Sequence, residues 1–140
     1  MARPYLGLSQ GLKATSIDVG MLNRSFEQQL YFTVPTVEGR FPSYFVTSGV
    51  GTVISARTAR FSPFVIGLGL KSQMIWEQDS GVEVGLGFAS TLSYEFIGSR
   101  GVLFLEFSYI PWTTTIGTTP SVLIDPLMHQ YLRLGYHHIL

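Results

Sequence analysis

The stretch that most constrains this chain is residues 82–96, V-E-V-G-L-G-F-A-S-T-L-S-Y-E-F. From Val82 onward, every second residue is large and apolar except Ser90: Val82, Val84, Leu86, Phe88, Leu92, Tyr94 and Phe96. The intervening set is small, Gly85, Gly87, Ala89, Thr91 and Ser93, with Glu83 and Glu95 near its ends. A period of two held over so long a run is a β-strand with two chemically different faces. A strand that wets one face usually turns long polar side chains to water, because glycine in a strand interior costs backbone entropy and packs nothing. Small residues with occasional charges suit a crowded, enclosed space instead. The broad apolar face then requires an apolar medium outside the chain. The pattern is that of a membrane β-barrel strand, apolar towards lipid and polar towards a lumen.

The same division recurs along the sequence. Strand patterns fall at 5–16, 26–34, 44–55, 63–76, 82–96, 102–110 and 127–140, separated by polar or Gly/Pro-containing stretches. Residues 18–25 read as a turn, with Gly20 and Asn23 as breakers, and 56–60 as a polar link. Helical periodicity is absent, and the whole of 1–140 reads as one domain. The predicted fold is all-β: a small antiparallel transmembrane barrel of about eight strands in meander order. The small-residue faces carry Lys13, Glu27, Lys71, Glu83, Glu95, Glu106 and Arg133, which are expected to form an ion-pair network filling the lumen. Leu68, Leu70, Leu86, Phe88, Leu105 and Leu134 are expected to face lipid. Trp76, Tyr94, Tyr109, Trp112 and Tyr136 sit near strand ends, where outer-membrane barrels place aromatic girdles.

Composition narrows the function classes. Charged residues are 13% of the chain against 46% apolar, and the mean hydropathy is +0.28. The net charge is zero with no basic cluster, so nucleic acid is not an expected partner. Cysteine is absent, which removes disulfides, thiolate nucleophiles and cysteine metal sites. No apolar run is long enough for a transmembrane helix. A secretory leader is also missing from the sequence, so the chain reads as a form from which one has been removed.

From residue 61 onward the chain resembles the second half of OmpA-like and opacity-type small outer-membrane barrels. The residues that carry the resemblance are F-S-P-F-V-I-G-L-G-L at 61–70, G-L-G-F-A-S-T-L-S-Y-E-F at 85–96, F-L-E-F-S-Y-I at 104–110 and L-R-L-G-Y at 132–136. The resemblance implies an eight-stranded antiparallel barrel in a bacterial outer membrane, with short periplasmic turns and longer outer loops. Lipids and lipopolysaccharide are the implied partners. Two features depart from the family pattern. The chain ends in His137-His138-Ile139-Leu140, where the family usually has a terminal aromatic residue. The strand patterns also number seven, whereas single-chain bacterial barrels have an even count. An eighth strand supplied by the N-terminal region or by residues 113–124 is the favoured solution; the others are a lost first strand and an edge completed by a partner chain.

No catalytic, metal or cofactor site is expected. His137 and His138 point to opposite faces of one strand, and Glu83 and Glu95 are too far apart for joint acid–base work. Two alternatives to a non-enzymatic membrane barrel (structural, adhesive or narrow-pore) are a soluble lipocalin-type carrier and an outer-membrane lipid hydrolase. The hydrolase would use His129 with Ser121 or Ser108, although no G-x-S-x-G is present.

Overall fold

Alternation with period two runs through eight strands in the computed structural model, which describes residues 1–35, 47–77, 81–117, 128–129 and 131–140. They are β1 (Arg3–Gly11), β2 (Ala14–Leu22), β3 (Phe26–Pro35), β4 (Thr47–Phe61), β5 (Phe64–Glu77), β6 (Gly81–Glu95), β7 (Gly101–Ile116) and β8 (Leu132–Ile139). Each strand pairs antiparallel with the next, and β1 pairs with β8, closing one barrel in meander order. Closure gives the strands ladder partners on both sides through most of their length. Tyr5 lies opposite Ile139, so both chain ends share one rim, here called the near end. The turns at 23–25, 62–63 and 96–100 lie on that rim; Gly98 in the last of them has φ 75°. β1, β3, β5 and β7 end at the opposite rim, the far end.

The eighth strand comes from the N-terminal region. The predicted single strand over 5–16 is two strands, turning at Leu12 and Lys13, and the predicted turn over 18–25 is mostly β2. Asp18 and Gly20 read as turn residues by type. Both occupy inward positions of β2, where a crowded polar interior accepts a short acid and a glycine. In one unbroken strand over 5–16, Ala14 would share the outward face of Leu6 and Leu8; with the turn between them it points inward. The predicted link at 56–60 continues β4. Of the 113–124 segment, residues 113–116 prolong β7, and 118–124 lie outside the described residues, as do 44–46 of the expected third strand.

Two bulges let long strands keep their faces. Arg57 and Ala59 pair with Gly67 and Ile66, leaving Thr58 as the extra residue. On β7, Tyr109 pairs with Phe88 and Trp112 with Leu86, so Ile110 and Pro111 share one partner position. A bulge is where a strand tolerates proline, and the extra residue keeps both Tyr109 and Trp112 on the outside.

Candidate functional site

The inward faces of the strands meet in a filled polar lumen. Glu106, from β7, is fully buried at its centre. Lys71 Nζ, from β5, donates to Glu106 Oε1 at 2.7 Å and to Ser108 Oγ at 3.3 Å. Arg133 Nη2, from β8, donates to Glu106 Oε2 at 2.6 Å and to Gln29 Oε1 at 2.9 Å. Arg133 Nη1 lies 3.5 Å from Asp18 Oδ1, and that oxygen accepts from Ser9 Oγ at 3.0 Å. Asp18 Oδ2 is 3.1 Å from His137 Nε2. Two carboxylates and two bases therefore alternate across the barrel, Lys71–Glu106–Arg133–Asp18, and their formal charges cancel. Buried charges are tolerated when paired and hydrogen-bonded; Arg133 is hydrogen-bonded through Nη2, while its buried Nε and Nη1 have no hydrogen-bond partner.

Aromatic rings fill the space around these charges. The Tyr31 ring lies 4.2 Å from the Arg133 guanidinium carbon and 5.2 Å from Lys71 Nζ, both measured to its centroid. Its hydroxyl donates to Gln73 Oε1 at 2.5 Å. His137 is held between Tyr5, with ring centroids 4.1 Å apart, and Phe104, at 4.3 Å. Tyr5 donates to Glu27 Oε1 at 2.8 Å. Each of these rings lies on a glycine directly across the ladder: Tyr5 on Gly20, Tyr31 on Gly51, Phe104 on Gly135 and His137 on Gly7. A Cβ at Gly51 would stand 2.1 Å from Tyr31 Cζ, and one at Gly20 would stand 2.4 Å from the Tyr5 hydroxyl. The small residues of the inward face are thus the floor on which the large inward rings rest.

Apolar clusters flank the charged layer. At the near end Tyr5, Leu22, Val102 and Ile139 pack together. At the far end Ala14, Ile75 and Ile110 pack with Met128, which reaches in from the β7–β8 connection. A cavity of about 10 Å³ remains among Ala14, Ser16, Tyr31, Lys71, Gln73 and Arg133, room for about one water.

Of the expected lumen residues, Lys71, Glu106 and Arg133 form the central network. Glu83 is buried on the inward face of β6, towards the far end. Glu27 and Glu95 stand on the near-end side; Glu95 pairs with Arg57, whose Nη1 also donates to the Asn23 carbonyl at 2.6 Å. Lys13 is not in the lumen: it is exposed in the β1–β2 turn, because the strand expected to carry it ends at Gly11. Sequence reasoning missed Asp18, Gln29, Arg57, Gln73 and His137 as members. The signal was parity with neighbouring glycines for Arg57, Gln73 and His137 and, hidden by the misplaced turn, for Asp18; for Gln29, whose strand has no glycine, it was parity with Glu27 and Thr33.

The outer wall has the opposite chemistry. Leu68, Leu70, Leu86, Phe88 and Leu134 are exposed and Leu105 is half-buried, and all six point outward. Among the described side chains, no Asp, Glu, Lys or Arg occupies an outward strand position, while Asp18, Glu27, Arg57, Lys71, Glu83, Glu95, Glu106 and Arg133 all point inward. Trp76 and Trp112 lie on the outer wall towards the far end, and Tyr94 and Tyr136 towards the near end. Tyr109 is also outward but stands midway along β7, because that strand runs on past its bulge to Ile116. Ser108 is inside the barrel beneath Lys71, whereas His129 is exposed; Ser121 lies outside the described residues. No family model, no curated protein and no solved structure matches this chain.

Proposed function

We propose that this chain is a non-enzymatic integral barrel of a bacterial outer membrane, a structural or adhesive element with a plugged lumen. The observation that carries the reading is the inverted distribution of charge: eight charged side chains inside, and none on the described outer wall. A water-soluble carrier barrel needs the reverse, an apolar interior with room for a ligand and a wetted exterior. Lipid solvates the outward Leu, Ile, Phe and Val side chains, and closure satisfies the backbone where water is absent. The outward run from Leu103 to Trp112 on β7 fits the roughly 9–11 residues with which a tilted strand crosses the hydrocarbon. The resemblance to OmpA-like and opacity-type barrels agrees, and it puts the near end, with its short turns and both termini, in the periplasm. Lipids and lipopolysaccharide are then the molecules that touch the outer wall.

The test uses the chain's only two tryptophans, Trp76 and Trp112. In vesicles of phosphatidylcholine brominated on the acyl chain, their fluorescence should be quenched, and the protein should stay with the vesicles after an alkaline wash. A chain that remains monodisperse without detergent, with unquenched fluorescence, would sink the membrane reading.

A further inference from the structure

The near rim carries exposed charge of one sign. Arg3 at the start of β1, Arg24 in the β2–β3 turn and Arg100 in the β6–β7 turn are all exposed. None of the three has an ion-pair partner among the described residues. The two acids nearest this rim are turned inward and engaged. Glu27 accepts from Tyr5 and lies 3.6 Å from His137 Nδ1, and Glu95 pairs with Arg57. No exposed Asp or Glu stands on this rim among the described residues. The arginines sit where the apolar wall ends. Pro4, Met21 and Gln28 lie side by side as the last outward row shared by β1, β2 and β3, and Leu6, Val19 and Leu30 form the next. Both rows line a groove of about 520 Å³ on the outer wall, where Gln28 adds an exposed amide to a largely apolar lining. Arg3 adjoins Pro4 and pairs with Leu22, and Arg24 follows Leu22 by two residues, so both stand at the rim beside this groove.

We infer that this rim binds an anionic phospholipid, with its phosphate at Arg3 and Arg24 and one acyl chain in the groove beside them. The inference rests on the membrane reading, which sets the groove against acyl chains and the strand ends at the headgroups. Charge then selects among lipids. A zwitterionic headgroup brings a cation of its own, which unpaired arginines repel. An anionic phospholipid brings a net negative charge and phosphate oxygens that a guanidinium grips in bidentate fashion. Each basic residue at an anionic surface adds attraction that decays within a Debye length. A second groove, under Leu68, Phe88 and Phe107, shows the contrast: it lies midway along the wall and no charged residue lines it. That groove takes a chain without choosing a headgroup. The near-rim groove joins an apolar slot to two free cations, and this pairing of features matches an anionic lipid at both of its ends.

The chain has no cysteine, so one introduced thiol reports one place. Ser25→Cys at the near rim and Met74→Cys on the outer wall towards the far end are each labelled with a fluorophore in phosphatidylcholine vesicles. Traces of phosphatidylglycerol or phosphatidylcholine, carrying a nitroxide near the top of an acyl chain, then serve as quenchers. At equal mole fraction the label at 25 should be quenched several-fold more by the phosphatidylglycerol, and the label at 74 equally by both. Arg3→Gln with Arg24→Gln should abolish the preference while the barrel stays folded by its heat-shifted gel migration, and high salt should weaken it. Arg100→Gln should leave most of it, because β8 stands between Arg100 and the groove. Four results would overturn the site: equal quenching by the two lipids at 25, the same preference at 74, a loss with Arg100→Gln as large as with the Arg3 and Arg24 pair, or stronger competition by lipid A than by phosphatidylglycerol. No quenching of either label by either lipid would instead mean that the wall never meets lipid, and the membrane reading itself would fall.

Discussion

At the residue scale, Glu106 is the side chain on which the lumen depends. It is the shared acceptor of Lys71 and Arg133, with no exposure to water. Glu106→Gln would leave two buried cations facing each other with one carboxylate, Asp18, remaining. Removing one partner of a buried ion pair costs about 3–5 kcal/mol, mostly from the charge left behind. We expect a loss of that size in urea unfolding of the vesicle-bound barrel, with a substantial part restored in the Lys71→Met/Glu106→Gln double variant. Equal losses in the single and double variants would show that the pair is not coupled. Gly51 is a second residue whose role is spatial. A side chain there meets the Tyr31 ring at once, so Gly51→Val should cost about 1–3 kcal/mol as overpacking does. Tyr31→Ala should cancel much of that penalty. Glu27, Lys71, Glu83, Glu95, Glu106 and Arg133 were legible because each stands on a small-residue face, whereas Asp18 and Arg57 were hidden in stretches that read as a turn and a link. The rings were not legible, since a tyrosine or phenylalanine of inward parity is indistinguishable by type from one on the outer wall. Only the glycine across the ladder separates the two cases.

At the element scale, β5 and β6 were legible nearly to their ends, while β1 and β2 were fused. Gly11-Leu12-Lys13 carries weak turn chemistry, and Asp18 and Gly20 carry strong turn chemistry inside a strand. In an ordinary half-wetted sheet that reading of Asp18 would be sound. Here the interior is polar, so the usual association of Asp with turns fails. The far part of β7 was hidden by Pro111, which ends most strands but here sits in a bulge. The element-scale consequence of the membrane reading can be tested on β5. Leu70 is exposed midway along the outer face of that strand. Leu70→Arg should destabilise the barrel by about 2–4 kcal/mol if that face lies at the bilayer midplane. On a water-facing strand the same change would fall within about 0.5 kcal/mol. Urea unfolding of the two proteins in vesicles distinguishes these values, and the smaller one would contradict lipid contact at Leu70.

At the scale of the whole molecule, three layers stand between the two rims. Tyr5, Leu22, Val102 and Ile139 seal the near end, the Lys71–Glu106–Arg133–Asp18 network crosses the middle, and Ile75, Ile110 and Met128 pack at the far end. Eight strands enclose an interior that side chains just fill, and the cavity beside Arg133 has room for about one water. An ion crossing this barrel would have to displace an apolar cluster, break a neutral chain of ion pairs, and displace a second cluster. The layers are separate groups of residues, so thinning one leaves the others closed. Wild-type protein in planar bilayers should therefore show no steady large conductance, and Met128→Ala, which trims only the far-end layer, should behave the same way. Swelling of proteoliposomes in small sugars gives an independent measure and should match that of protein-free vesicles. A stable open level in the wild type would mean that the layers part together, and the plugged lumen would have to be abandoned in favour of a pore.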